Sequence, residues 1–456
     1  MDAKMSGDPS YEMSVTKREA SLTTAVVEEG TQPNGHLKKN MSMLAIIGFG
    51  LEVSNGWSGI SGTLLVGLEQ GGAVTILYGL MFTGIMNLFI AMTLAELSSA
   101  MPSAGGQYVW SSILAPAKYR KQVSFTTGCI SIFAWIVISG TVYTIIGQYV
   151  MGLAQLFHPE IVIQRWHVFV IYLVTLGFSV LWNILLAVRA PWVGTAFIYF
   201  STAVFVSIIA ACVARAPTYQ SDSFVWATYT DDIGWNSAFI VVVTGLINPA
   251  YAFLGLDATV HIAEDSIRPA RDIPLGLLFT VCTAWSFACD GALPFKSHLQ
   301  HISPRLNVPV LAIVVSAVPV GIVGVLYLAS TTAYNSIVGS AIILSYLSFV
   351  VPIVCLMLGK RNLSRERWFK LGRFGWLVNS VVVIWCGFAG VMWLFPLTSA
   401  PTGGTMNYAV VVLGIMAVLA LADWLFYARH RFAGPTSDEW FAATQVLDIA
   451  EPLPSL

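Results

Sequence analysis

Ten runs of about twenty apolar residues set what this chain can become, and two of them are interrupted. The runs cover 43–67, 73–95, 126–157, 166–188, 192–213, 237–257, 309–329, 335–358, 377–396 and 406–427. Each is about long enough to cross a hydrocarbon core of about 30 Å as a helix. Inside hydrocarbon every backbone N–H and C=O must find a partner, so irregular backbone survives only where protein or a water-filled cavity covers it. The first run is broken by Ser54-Asn55-Gly56-Trp57-Ser58-Gly59, and the sixth by Asn248-Pro249-Ala250. Interruptions at matching positions, about five spans apart, point to the solute site of a secondary transporter. The expected class is an all-α polytopic membrane protein lying in a lipid bilayer and working as a carrier.

Composition excludes most other classes. The chain is 56% hydrophobic and 10% charged, against roughly 25% charged in soluble domains. Its mean hydropathy is +0.73. A net charge of −1 offers no field for nucleic acid. Cys129, Cys212, Cys282, Cys289, Cys355 and Cys386 lie in or beside apolar runs without CxxC spacing, so neither a disulfide framework nor a metal site is expected. No Gly-rich phosphate loop, HExxH helix or GxSxG elbow is present. ATP-driven transport and hydrolysis are rejected, and neither an enzyme nor a cofactor is expected.

Orientation follows from Lys and Arg in short loops. Lys38 and Lys39 precede the first run, Lys118, Arg120 and Lys121 follow the second, Arg189 the fourth, and Arg268 and Arg271 the sixth. The alternate loops hold only Arg165 and Arg215. Both termini are therefore expected in the cytosol. Residues 1–42 are polar, lack a signal-peptide apolar region, and read as a disordered cytosolic tail. Asn40-Met41-Ser42 and Asn362-Leu363-Ser364 match the glycosylation pattern but would lie on the cytosolic side, unused. The segment 274–288 is short and has basic flanks on both sides, which argues against a crossing.

Three motifs carry a resemblance. Ala95-Glu96-Leu97-Ser98-Ser99-Ala100-Met101-Pro102-Ser103-Ala104-Gly105-Gly106-Gln107-Tyr108-Val109-Trp110 resembles the signature of the amino acid–polyamine–organocation superfamily. Phe253-Leu254-Gly255-Leu256-Asp257-Ala258, with His261-Ile262-Ala263-Glu264-Asp265 and Arg271-Asp272-Ile273-Pro274, is similar to the stretch ending its sixth helix. Asp290-Gly291-Ala292-Leu293-Pro294-Phe295 resembles the loop after its eighth helix. The nearest branch is the fungal permeases for GABA, choline and related amino acids. The resemblance implies a leucine-transporter-like fold of two inverted five-helix repeats, with twelve spans where about ten are read here. It divides the chain into a tail at 1–42, a transmembrane permease domain at 43–430 and a cytosolic tail at 431–456. The chain departs from the family between Ile273-Pro274 and Trp285-Ser286-Phe287-Ala288, where most of helices seven and eight is missing, and Cys289 replaces the usual Arg. Losing an even number of spans leaves later loops on their original side.

Candidate site residues cluster at the two breaks. Gly56, Gly59 and Gly62 recur every three residues. They suit either close helix packing or a backbone that unwinds, with a half-helix starting near Ile60 aiming N–H groups at a carboxylate. Pro249 removes a helical hydrogen bond in the second break. Trp57, Tyr251 and Phe253 can pack in the core or hold an ammonium over their rings, each good contact contributing roughly 0.5–2 kcal/mol. The expected substrate-binding set is Ser54, Asn55, Gly56, Trp57, Gly59, Pro249, Tyr251 and Phe253. Glu52, two residues before the first break, is the expected proton acceptor or amine partner. Asp257, ending the sixth span, is expected as an interfacial cap or gate, and Glu96 as a lock on its loop against a nearby Arg or Lys. The fifth span holds no Lys, the residue some proton-coupled relatives place there.

The expected function is a secondary active permease, proton-coupled, for a small amine or amino acid such as GABA or choline. The expected location is the plasma membrane, with vacuolar or other endomembranes as the alternative. A non-transporting remnant or sensor, and a carrier for a secondary-metabolite amine, remain open. Oligomeric state is not specified by the sequence.

Overall fold

The computed structural model describes residues 46, 53, 56–185, 192–215, 220–266, 268–277, 310–363, 367–396, 398–432, 434 and 435. No strand occurs among them; Gln70 and Asp231 make one isolated antiparallel bridge. The expected all-α architecture is observed. In chain order the helices are α1 (Gly56–Gly62), α2 (Leu64–Glu69), α3 (Gly72–Ala100), α4 (Gln107–Leu114), α5 (Arg120–Phe157), α6 (Arg165–Leu185), α7 (Trp192–Arg215) and α8 (Asp222–Trp226). Then follow α9 (Ala238–Gly245), α10 (Ile247–Ala250), α11 (Pro269–Gly276), α12 (Val310–Ala329), α13 (Thr331–Leu358), α14 (Phe374–Met392) and α15 (Ala409–Asp423). Two 3₁₀ segments, Tyr251–Phe253 and Leu256–Asp265, lie between α10 and α11.

Seven described helices are long and apolar enough to cross a bilayer, and two shorter apolar ones, Tyr199–Arg215 and Ile313–Ala329, fall in the runs expected at 192–213 and 309–329. The run at 43–67 contains α1 and most of α2. Of the short segment at 274–288 only the start is described, inside α11. The tail at 1–42 and the Asp290 motif lie outside the described residues. At the other end the chain stays packed past 431. Phe432 is buried against Phe125, and Ser112 Oγ donates to the Pro435 carbonyl at 2.7 Å.

Small residues let the helices approach. A side-chain carbon on Gly140 would fall 2.6 Å from Val323 Cγ1, and one on Gly147 would fall 2.9 Å from the Val168 carbonyl oxygen, so α5 lies directly on α12 and α6. Helix α13 packs against α5, α14, α4 and α15. Three of its buried serines are satisfied within the helix: Ser340, Ser345 and Ser348 donate to the carbonyls of Ile337, Ala341 and Ser345. Large apolar residues such as Leu153, Val174, Val418 and Phe426 face outward, a surface suited to lipid rather than water.

Candidate substrate site between two interrupted segments

The second interruption opens one turn later than the sequence suggests. Asn248, Pro249 and Ala250 are still helical, and the Ala250 N–H donates to the Leu246 carbonyl at 3.0 Å. Proline supplies no N–H of its own, and the chain tightens into a 3₁₀ turn at Tyr251–Phe253. Leu254 is extended, and Gly255, at φ +85°, reverses the chain into Leu256–Asp265. Only glycine takes that left-handed conformation without steric cost. The break expected at Asn248-Pro249-Ala250 is thus at Leu254 and Gly255.

The first interruption also needs correcting. Gly56–Gly62 is helical, so the unwinding expected across Gly56 and Gly59, with a half-helix from Ile60, is not there. The described departure from helix is Thr63, at φ −120° and ψ 14°. Gly59 serves instead for close approach. A Cβ placed on it would stand 2.6 Å from the Tyr251 carbonyl oxygen and 3.1 Å from its carbonyl carbon. The backbone of α1 therefore rests on the backbone of the second interrupted segment.

Asn248 ties the two together. Its Nδ2 donates to the Ile60 carbonyl at 2.9 Å and to Thr63 Oγ1 at 2.7 Å, while Thr63 Oγ1 donates to the Gly59 carbonyl at 3.2 Å. Asn248 is fully buried. The sequence marks it as part of a break rather than of the site; a buried amide in an apolar span is itself the signal, because a polar group at membrane depth needs a partner.

The other expected residues separate. Tyr251 is buried, with its hydroxyl donating to the Val338 carbonyl of α13 at 2.6 Å. Pro249 packs on Gly79 of α3, and Phe253, half-buried, reaches Gly84 of the same helix. Gly56 and Trp57 lie in α1, with the Trp57 side chain outside the description. Glu52, Ser54 and Asn55 lie outside the described residues. Asp257, expected at an interface, is 3% exposed, with Gln107 of α4 against it. Gln107 Nε2 donates to Asp257 Oδ2 at 2.6 Å, and His261 Nδ1 lies 2.7 Å from the Ala104 carbonyl oxygen.

Glu96 has the basic partners expected, but they belong to the segment between α13 and α14 rather than to its own loop. The fully buried carboxylate pairs with Arg361 through Oε2 and with Arg367 through Oε1 at 2.9 Å. Oε1 also accepts from the Leu371 N–H at 3.1 Å. Two guanidinium groups and a backbone donor satisfy a charge that burial would otherwise make costly.

Comparison with known proteins agrees with this architecture. The family described as Amino acid permease matches residues 41–287 and 282–418. The chain is similar to a choline transporter of Saccharomyces cerevisiae, 28% identical over 468 positions that cover 87% of this chain and 83% of that protein. It is also similar to the transmembrane transporter swnT of Metarhizium robertsii, 27% identical, covering 87% and 92%. Amino-acid permease BAT1 of Arabidopsis thaliana is 23% identical, covering 88% and 94%.

Proposed function

The chain belongs to the amino acid permease family, and on that footing we propose that it carries a small amine-bearing solute, such as an amino acid, GABA or choline, in symport with protons. It is a permease and a multi-pass integral membrane protein, not an enzyme. The observation that carries the finer reading is the backbone contact of Gly59 with Tyr251, tied by Asn248 to Ile60. A carrier needs a place at membrane depth where helical hydrogen bonding gives way and backbone groups become available to a solute, and Leu254 and Gly255 adjoin that contact. Ser54, Asn55, Gly56, Trp57, Gly59, Pro249, Tyr251 and Phe253 form the proposed solute site, with Glu52 in coupling and Asp257 in gating. The names of a choline transporter and an amino-acid permease among its relatives support the solute class. The Lys and Arg distribution supports cytosolic termini, and the plasma membrane is the proposed location.

A second reading, a remnant that no longer transports, draws on one feature. Only residues 277–309 separate α11 from α12, where the family resemblance implies two helices. At 87% coverage about 397 of 456 residues align with the yeast choline transporter, so about 71 of the 468 positions have no counterpart here. The two parts of the family match also meet at 282–287. These support a loss of about that length.

Uptake of radiolabelled choline, GABA and common amino acids in a permease-deficient yeast separates the readings. Saturable uptake of one of them is expected. If this chain and a version with the two helices grafted near Thr280 are both inactive, the carrier reading is overturned. An in-frame exon at that position in full-length transcripts would assign the gap to gene structure.

A further inference from the structure

The second interrupted segment ends in a buried acid–imidazole pair whose geometry lacks one proton. His261 Nδ1 lies 2.7 Å from the Ala104 carbonyl oxygen, and a carbonyl only accepts, so Nδ1 carries hydrogen. The tautomer is thereby fixed, and in the neutral ring Nε2 bears a lone pair. That lone pair stands 3.5 Å from Asp257 Oδ2, with the two side chains 0% and 5% exposed. His261 Nε2 has no hydrogen-bond partner. Two acceptors thus face each other away from water, which leaves Nε2 without a donor. One proton between them converts the repulsion into a charge-assisted hydrogen bond.

We propose that His261 and Asp257 together bind one proton, and that it fixes the imidazole and the carboxylate that hold Ala104 of the loop ahead of α4 and Gln107 of α4. The proton comes from water and returns to water, and no other bond is made or broken. The proposal deepens the reading of the chain as a proton-coupled carrier and rests on it. The loop is positioned to respond. Gly106, at φ +53°, lies so close that a Cβ would meet Val260 Cγ1 at 2.9 Å and His261 Cε1 at 3.2 Å. Gln107 Nε2 donates to the same Asp257 oxygen at 2.6 Å. Tyr251, which carries the contact with Gly59, lies four residues before Gly255 in the same continuous segment.

Other charged and titratable groups on neighbouring elements have partners of their own or are exposed. Glu96 of α3 is taken by Arg361 and Arg367. Asp272 of α11 accepts from Ser266 Oγ and the Arg268 N–H. Arg268 and Arg271 are exposed. Tyr108 of α4 is buried beside the loop, where its carbonyl accepts from Ser124 Oγ. Glu264 and Asp265, on the same 3₁₀ segment, have side chains outside the description.

Two measurements on the full chain test the proposal. In ¹⁵N-histidine NMR of detergent-solubilised protein, one imidazole should keep Nδ1 protonated throughout while Nε2 gains a proton as the pH is lowered. That signal should vanish in His261→Gln, and its midpoint should move in Asp257→Asn. A His261 ring that holds one state across the range, or an unmoved midpoint in Asp257→Asn, overturns the proton site whether or not the protein transports. In proteoliposomes, accumulation of choline driven by an imposed pH gradient should fall in His261→Gln about 5-fold further than choline exchange at equal pH does, a coupling of the usual allosteric size. Gradient-driven accumulation retained in His261→Gln overturns the coupling role. Absence of any exchange by the wild-type chain with choline, GABA or amino acids would instead sink the carrier reading and leave the proton site to the titration.

Discussion

The side-chain amide of Asn248 donates to the carbonyl oxygen of Ile60 at 2.9 Å, joining two helical segments 188 residues apart in the chain. The same nitrogen reaches Thr63 Oγ1 at 2.7 Å, where α1 ends. One side chain thus supports the kink at Thr63 and fixes the distance between the two segments.

Replacing Asn248 by Ala should therefore destabilise the folded protein by about 1–3 kcal/mol, the range for leaving buried polar groups unpaired. Thermal melting of the solubilised protein measures this. An unchanged melting temperature would mean that the amide does not hold the segments together.

Gly59 and Gly62 should respond differently to Ala. At Gly59 the new carbon meets the Tyr251 backbone at 2.6 Å, which side-chain rotation cannot relieve; at Gly62 it meets the end of the Ile145 side chain at 2.7 Å, which can turn away. Gly59→Ala should cost about 1–3 kcal/mol and most of the uptake, and Gly62→Ala much less. Equal losses would count against a tight backbone contact at Gly59.

Glu96→Gln should be among the most damaging single changes, costing about 3–5 kcal/mol, because it leaves the largely covered Arg361 and Arg367 without their counter-charge. Adding Arg367→Gln should restore part of the loss, since the two effects share one cluster. A double variant no more stable than Glu96→Gln would exclude that coupling.

Tyr251→Phe removes only the hydroxyl bond to Val338 and should cost about 1 kcal/mol of stability. Tyr251→Ala should weaken uptake of a cationic solute more than of a neutral analogue if the ring holds a positive head group. Equal weakening of both solutes would assign the ring to packing.

Reporters fused after Lys360 and after Leu456 should both read cytosolic, as the positive residues around 360–373 require. A C-terminal reporter on the outer face would mean that the segment at 274–288 crosses, and would rule out the loss of two helices.

Much of this is visible in the sequence because an apolar run at bilayer depth can satisfy its backbone only as helix. The ten runs all contain helix, and the partners of Glu96 are the basic type expected. The breaks were located less well. Glycine supports both unwinding and close approach, and the letters at Gly56, Gly59 and Gly62 do not distinguish them; Tyr251 lying over Gly59 does. Pro249 drew attention from Gly255, whose positive φ turns the chain but whose neighbours look like an ordinary apolar run. The roles of Asn248, Gln107 and His261 depend on partners 150 or more residues away, a separation that no local pattern encodes.

The Glu96 cluster also has a history in time. Arg361 and Arg367 follow Glu96 by 265 and 271 residues. At a synthesis rate of about 5–20 residues per second, they emerge on the order of ten to fifty seconds after it. Throughout that interval α3 carries a carboxylate with neither counter-ion yet made. That end of the bundle can close only after most of the polypeptide has left the ribosome, so any truncation upstream of residue 361 leaves it without its latch.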